Sequence, residues 1–217
     1  NGATVYATQV SPVNSSEFRG EQLLQQVDEV IAITGQPKVN LIGHSHGGPT
    51  IQYIEGVAPE KVASLTAVAG AMKGAKLADI LGGNPVTLPA AKIIFGAIGE
   101  IIKLAEGNTD LPTNTQGVVD SLTTSGAAKF NAKYGSAAIP KDCSGSGQKI
   151  TSNGIYHYSW MGNQQVTNIF DVLDTTLTAA STLLLRSTAT DGILETCSGN
   201  YSQIIRNDYK LNHFDEV

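Results

Sequence analysis

Ser45 sits between two histidines, His44 and His46, and these sit between two glycines, Gly43 and Gly47. A serine hydroxyl attacks an acyl carbon only when a base takes its proton and a third group orients that base. The approach to Ser45 is apolar at Val39, Leu41 and Ile42, as in a buried strand. The residues beyond it place Ile51, Tyr53, Ile54 and Val57 at helical spacing. Strand, sharp turn and helix with a serine at the apex form a nucleophile elbow, which holds the hydroxyl above the sheet in a strained backbone conformation. Both flanking glycines are expected where strand and helix crowd together and a side chain would clash. In a chain this rich in Gly and Ser, about 0.2 chance matches to the five-residue pattern are expected, so its surroundings must carry the argument.

Four histidines are available as the base. His44 and His46 adjoin the serine on a turn, where neighbouring side chains diverge. His157 lies in the alternating run 155–160 and is expected to be structural. His213, in a loop-like stretch near the end of the chain, is the preferred base, because the order in such hydrolases is Ser, then an acid, then His. The acid then falls between Ser45 and His213. Asp191 follows a strand-like run at 181–185 and opens a turn with Gly192; Asp171, Asp174 and Glu195 remain rivals on spacing alone.

The elements that must position these groups follow from periodicity. Residues 5–10 read as a strand, and 22–33 as an amphipathic helix with Leu23, Val27, Val30 and Ile31 on one stripe. Gly35 and Pro37 stop that helix, and the elbow strand follows; residues 62–68 read as another buried strand. Strands alternating with helices predict an α/β fold with a mostly parallel sheet and helices on both faces. The polar stretches 109–115 and 144–153 read as surface loops.

The 217 residues suffice for one α/β domain, expected over 1–217. With 14 basic and 19 acidic residues, there is no basic footprint for nucleic acid. No run approaches the roughly 18 apolar residues of a membrane span, and the opening residues show no signal-peptide pattern. Two cysteines, Cys143 and Cys197, are too few for a zinc knuckle. They are either two buried thiols or one disulfide, worth roughly 4 kcal/mol in the chain-entropy account and pointing to an oxidising compartment.

Residues 39–50, with Arg19 to Leu24 before them, resemble the secreted bacterial true lipases of the Pseudomonas and Burkholderia type, an α/β-hydrolase family of triacylglycerol lipases. The likeness continues through 130–134, 158–160, Asp191 with Gly192, and 212–217, and so spans essentially the whole chain. It implies Ser45 as nucleophile, Asp191 as orienting acid and His213 as base, with the backbone N–H of His46 as one oxyanion donor. It further implies a Cys143–Cys197 disulfide and one structural calcium ion held by Asp171 and Asp215. A lipase-specific foldase chaperone as partner, secretion through the periplasm and long-chain acylglycerol esters as substrates also follow from it.

Such an enzyme carries a lid, expected at about 88–111. Within it, Ile93, Ala97, Ile98, Ile101 and Ile102 form an apolar stripe opposite Lys92, Glu100 and Lys103; an amphipathic core helix explains the same stripe. The family also has an earlier strand ending in His-Gly, whose loop gives a second oxyanion donor, and further segments after its calcium loop. The resemblance therefore implies that these residues are the central part of a longer enzyme. Ala71 to Ala75 stand where the family has a Pro-His-x-Gly-Ser stretch, in the expected acyl-pocket wall. Two other readings stay open: an esterase for short, soluble esters, and a catalytically silent fragment that serves only as a folding or binding module.

Overall fold

The computed structural model describes residues 2–82, 110–143, 146–168 and 189–216, side chains 81 and 82 aside. Its centre is a four-stranded, wholly parallel sheet in the order β1 (Val39–His44), β2 (Val62–Val68), β3 (Tyr156–Gly162) and β4 (Gln203–Tyr209). Parallel neighbours need crossovers, and α2 (Gly47–Val57) is the crossover from β1 to β2. Register sets which side chains face the core: Leu41, Leu65 and His157 lie in one row, Gly43, Ala67 and Ser159 in the next. That face packs on Leu23 and Val27 of α1 (Ser16–Thr34) and on Ile51 and Ile54 of α2.

Helix α1 begins at Ser16, well before the predicted Gln22. Its start is set by a cap rather than by the apolar stripe: the Ser15 side chain accepts from the Phe18 N–H. It stops as expected at Gly35, which adopts φ 67° and donates its N–H to the Ile31 carbonyl. The 5–10 segment is not a strand, contrary to the alternation of its side chains. Val5 is 83% exposed, and the backbone of this stretch bonds to helix side chains instead, with the Gln9 N–H on Gln26 and the Ser11 N–H on Gln22. A period-two pattern specifies a strand only where a partner strand takes up its ladder.

The helices not predicted include α4 (Thr115–Leu122) and α5 (Thr124–Tyr134). Each is opened by a polar cap: Asn114 accepts from the Gly117 N–H, and Thr123 from the Gly126 N–H. Asp79, on α3 (Lys76–Gly82), accepts from both the N–H and hydroxyl of Thr124, tying α3 to α5. Strand β4 was not predicted either; its run through Arg206, Asn207 and Asp208 is polar, and it joins the sheet by pairing with β3. The Ser181–Leu185 stretch and the lid lie outside the described residues, apart from Asp110 and Leu111. Cys143 and Cys197 are joined, linking the loop before β3 to the short α6 (Thr196–Gly199) beyond Asp191.

His157 is wholly buried, and its Nε2 lies 2.9 Å from Glu55 Oε2. The Tyr201 hydroxyl donates to the same oxygen at 3.3 Å. This network locks α2 to β3 beneath the elbow. Removing one member of a buried pair strands its partner, at a cost of about 3–5 kcal/mol. His157→Ala is therefore expected to lower the unfolding free energy by about that amount, read from the urea midpoint at constant m-value. An unshifted midpoint would show that the pair contributes nothing.

Candidate active site

The site is built on the turn after β1. Ser45 takes φ 55°, a left-handed conformation that an L-residue adopts only under constraint. The constraint is the close approach of strand and helix. A Cβ on Gly43 would lie 2.3 Å from the Gly47 carbonyl oxygen, so only hydrogen fits there. Gly47 itself does not carry the expected restriction: among the described residues, a Cβ there meets nothing within 4 Å. The tight positions are Gly43 and Gly48, whose Cβ would press on Met72 Sδ at 2.8 Å and the Gly70 Cα at 2.9 Å. The clash is one-sided because Gly43 points its hydrogen at the helix backbone, whereas Gly47 faces open space.

Hydrogen bonds hold the strained turn. The Ser45 N–H donates to the Val68 carbonyl at 3.0 Å. The Ser45 carbonyl accepts from the N–H groups of Gly48 and Ala71, each at 3.0 Å. A peptide unit is planar, so pinning the Ser45 carbonyl oxygen also sets the direction of the His46 N–H on its other edge.

Tertiary structure brings His213 to Ser45 across the sheet: its Nε2 lies 2.8 Å from Ser45 Oγ and its Nδ1 2.7 Å from Asp191 Oδ2. Asp191 is fully buried in a tight turn, with Gly192 at φ 102°. Its Oδ1 accepts from the N–H groups of Ile193 and Leu194 at 2.9 and 2.7 Å, leaving Oδ2 for the imidazole. An ionised carboxylate only accepts, so Nδ1 carries the proton and the Nε2 lone pair faces the serine hydroxyl. The His213 N–H also donates to the Asp191 carbonyl at 3.0 Å, fixing acid and base as one unit. Burial alone would depress the His213 pKa. The Asp191 charge and hydrogen bond, with the Glu216 charge behind them, reverse this and raise it above the ordinary 6.5.

The remaining histidines and rival acids fall elsewhere. His44 turns its ring against His213, with centroids 4.6 Å apart, and its Nε2 lies 3.0 Å from the His213 carbonyl oxygen. The His46 ring points away from Ser45 into α1, and His157 belongs to the buried pair. Glu195 pairs with Lys76 at 3.0 Å; Asp171 and Asp174 lie outside the described residues. Glu216 was not singled out from the sequence. Its side chain is wholly buried, one oxygen accepts from the Gly162 N–H, and the other is 3.6 Å from His44 Nε2 and 4.0 Å from His213 Nδ1. Its only sequence signal was its place three residues after the base.

A cavity of about 530 Å³ opens over Ser45. Val13, Ala71, Ala75, Leu77, Val118 and Leu122 are among its lining residues, so its walls suit an apolar chain. Asp215 is exposed, and its Oδ2 accepts from the Thr167 hydroxyl at 2.6 Å. Among the described residues, His44, His213 and Glu216 have ligand atoms within 4.8 Å of one another. Two imidazoles do not suit a hard cation such as calcium, and His213 Nδ1 is already engaged by Asp191. No helix among the described residues is long and apolar enough to cross a membrane.

The family profile of the α/β-hydrolase fold matches residues 2–89. A triacylglycerol lipase of Vibrio cholerae is 42% identical over the whole chain, which covers 70% of that protein. A triacylglycerol lipase of Pseudomonas fragi is 34% identical, again over the whole chain and 77% of its own length. A crystal structure of a Bacillus licheniformis lipase in its mature form superposes with a TM-score of 0.65 at 17% identity, over 94% of this chain and 69% of that one. At that identity the likeness concerns the fold.

The elbow geometry separates the two glycines experimentally. Gly43→Ala is expected to cost at least about 3 kcal/mol, the range of severe backbone and packing clashes. Gly47→Ala should stay within about 1 kcal/mol of wild type, since it adds a helix-favouring residue in open space. Equal losses in denaturant titrations of the two variants would contradict the one-sided clash.

Proposed function

The chain belongs to the bacterial triacylglycerol lipases of the α/β-hydrolase fold, and on that premise we propose that it cleaves long-chain acylglycerol esters with Ser45, His213 and Asp191. The observation that carries this reading is the continuous chain from Ser45 Oγ through His213 to Asp191, at 2.8 and 2.7 Å. The Ser45 oxygen attacks the ester carbonyl as its proton passes to His213 Nε2. Asp191 holds the correct tautomer and offsets the imidazolium charge. The His46 N–H, aimed by the pinned Ser45–His46 peptide, donates to the developing oxyanion. His213 then protonates the departing alcohol. Water, deprotonated in turn by His213, attacks the acyl-enzyme and releases the fatty acid. The apolar lining of the cavity takes the acyl chain, and the 88–111 segment is expected to serve as the lid.

Calcium fits the donor chemistry at Asp215. Its exposed carboxylate accepts from Thr167, which precedes Asp171 by four residues in the chain. Asp171 and Asp215 would hold the ion, and carboxylate oxygen is what calcium takes. It would supply structural bracing of the loop that carries His213 and take no part in bond breaking. Secretion, with a foldase chaperone as folding partner, agrees with the Cys143–Cys197 disulfide, which persists in oxidising compartments.

A fluorophosphonate probe is expected to label Ser45 and not the Ser45→Ala variant; labelling elsewhere would sink the assignment. Hydrolysis of emulsified long-chain triglyceride should exceed that of a soluble short-chain ester. The reverse ranking, with no rise at the interface, would favour the esterase reading.

The raised pKa of His213 sets the pH profile. The base works only when neutral, so kcat/KM should rise with pH through a midpoint above 6.5. Asp191→Asn should cost about 10⁴-fold in kcat, as expected for a misdirected tautomer, and should move that midpoint down. An unmoved midpoint in this variant would contradict Asp191 as the group that raises it.

A further inference from the structure

Ser16 belongs to none of the motifs that identify the site, yet its hydroxyl lies 2.9 Å from Nε2 of His46, the residue after the nucleophile. We propose that Ser16 is a positioning residue for the oxyanion-binding peptide, fixing the His46 N–H by gripping the His46 imidazole from the first turn of α1. This rests on the reading of the His46 N–H as an oxyanion donor.

Three attachments surround that N–H, and they come from different parts of the chain. On the near side, the Ser45 carbonyl is held by the Gly48 and Ala71 N–H groups. On the far side, the His46 carbonyl accepts from the Thr50 hydroxyl at 2.8 Å and the Thr50 N–H at 3.3 Å, and Arg19 Nε donates to that hydroxyl at 3.0 Å. These two sets act along the backbone, on either side of the His46 Cα. The imidazole is the lever off that axis, and the Ser16 hydroxyl is what holds it.

The lever is well anchored. Ser16 and His46 are both buried, at 1% and 7% exposure, so water does not compete for the contact. His46 Nδ1 has no hydrogen-bond partner among the described residues, where the Ser16 contact is the ring's polar anchor. Ser16 is itself tied down, its N–H donating to Ser121 Oγ on α4 at 3.1 Å. The ring has no proton-transfer role. Burial and then the Arg19 charge hold its pKa well below the ordinary value, and the nitrogen that bonds faces Ser16 rather than Ser45.

A donor lost outright from an oxyanion hole lowers kcat by about 10²–10³, so a donor merely loosened should cost less. In the intact enzyme, Ser16→Ala is expected to lower kcat about tenfold with KM unchanged. It should weaken inhibition by an alkyl boronic acid, which forms a tetrahedral adduct on the serine, by about the same factor. Ser16→Thr, which keeps the hydroxyl, should restore most of both. Should Ser16→Ala fail to fold, Ser121→Ala, which releases Ser16 from behind, is expected to lower kcat and boronate affinity in the same ratio but less. Wild-type kcat and boronate affinity in a folded Ser16→Ala, even with lowered stability, would overturn the proposal and leave Ser16 a packing residue. The same holds for Ser121→Ala if only that variant folds. A wild-type enzyme whose boronate adduct forms away from Ser45 would overturn the triad reading and this proposal with it.

Discussion

The approach of β1 to α2 at Gly43 governs the site. The Gly43 and Gly47 backbones pass so close that a single methyl would lie 2.3 Å from a carbonyl oxygen, and the chain between them can turn only by placing Ser45 at φ 55°. Strain of this kind persists when neighbouring structure over-determines it. Here the Val68 carbonyl takes the Ser45 N–H, and two N–H groups take the Ser45 carbonyl. The same turn delivers the hydroxyl above the carboxyl ends of the strands, where ligands bind in parallel sheets. It also sends α2 beneath the sheet, where Ile51 and Ile54 enter the core and Glu55 meets His157.

Around that turn the polar groups divide into two supports with different tasks. His213 and Asp191 form one unit, joined by side chain and by backbone, and they set the proton affinity the serine encounters. Burial opposes a charged imidazole, but the adjacent carboxylates favour it more strongly. The protonated form is thus bound more tightly in the folded chain than in the unfolded one. Its contribution to stability is complete below pH 6.5 and fades as pH rises through the folded-state pKa, while activity needs the form that replaces it. The second support, from Ser16, Thr50 and Arg19, contacts His46 and carries no proton. Its imidazole stays neutral because it is buried and lies near the Arg19 guanidinium.

Local patterns made the elbow, the start of β1, the span of β2 and the stop at Gly35 legible, because each depends on residues adjacent in the chain. The 5–10 segment failed the same test: alternation is local, but a ladder needs a neighbour, and Gln22 and Gln26 of α1 took its backbone groups instead. Strand β4 erred the other way, with polar residues drawn into the sheet by β3. Gly47 shows the limit of motif reasoning, since both glycines of the pattern are present but only Gly43 meets a steric wall.

From sequence alone came the nucleophile, the order of acid and base behind it, and the lipase family, all carried by residue types at short or ordered spacing. Spacing favoured Asp191 but left Asp171, Asp174 and Glu195 as rivals, and the family resemblance chose Asp191; the fold carries Asp191 to His213 Nδ1 and pairs Glu195 with Lys76. It likewise brought Ser16 under His46 and buried Glu216 behind the base, contacts no motif announces. The reason is physical. Strain and capping are settled within a few residues, whereas a hydrogen bond between residues 168 apart, such as His213 to Ser45, exists only once the sheet has set their distance.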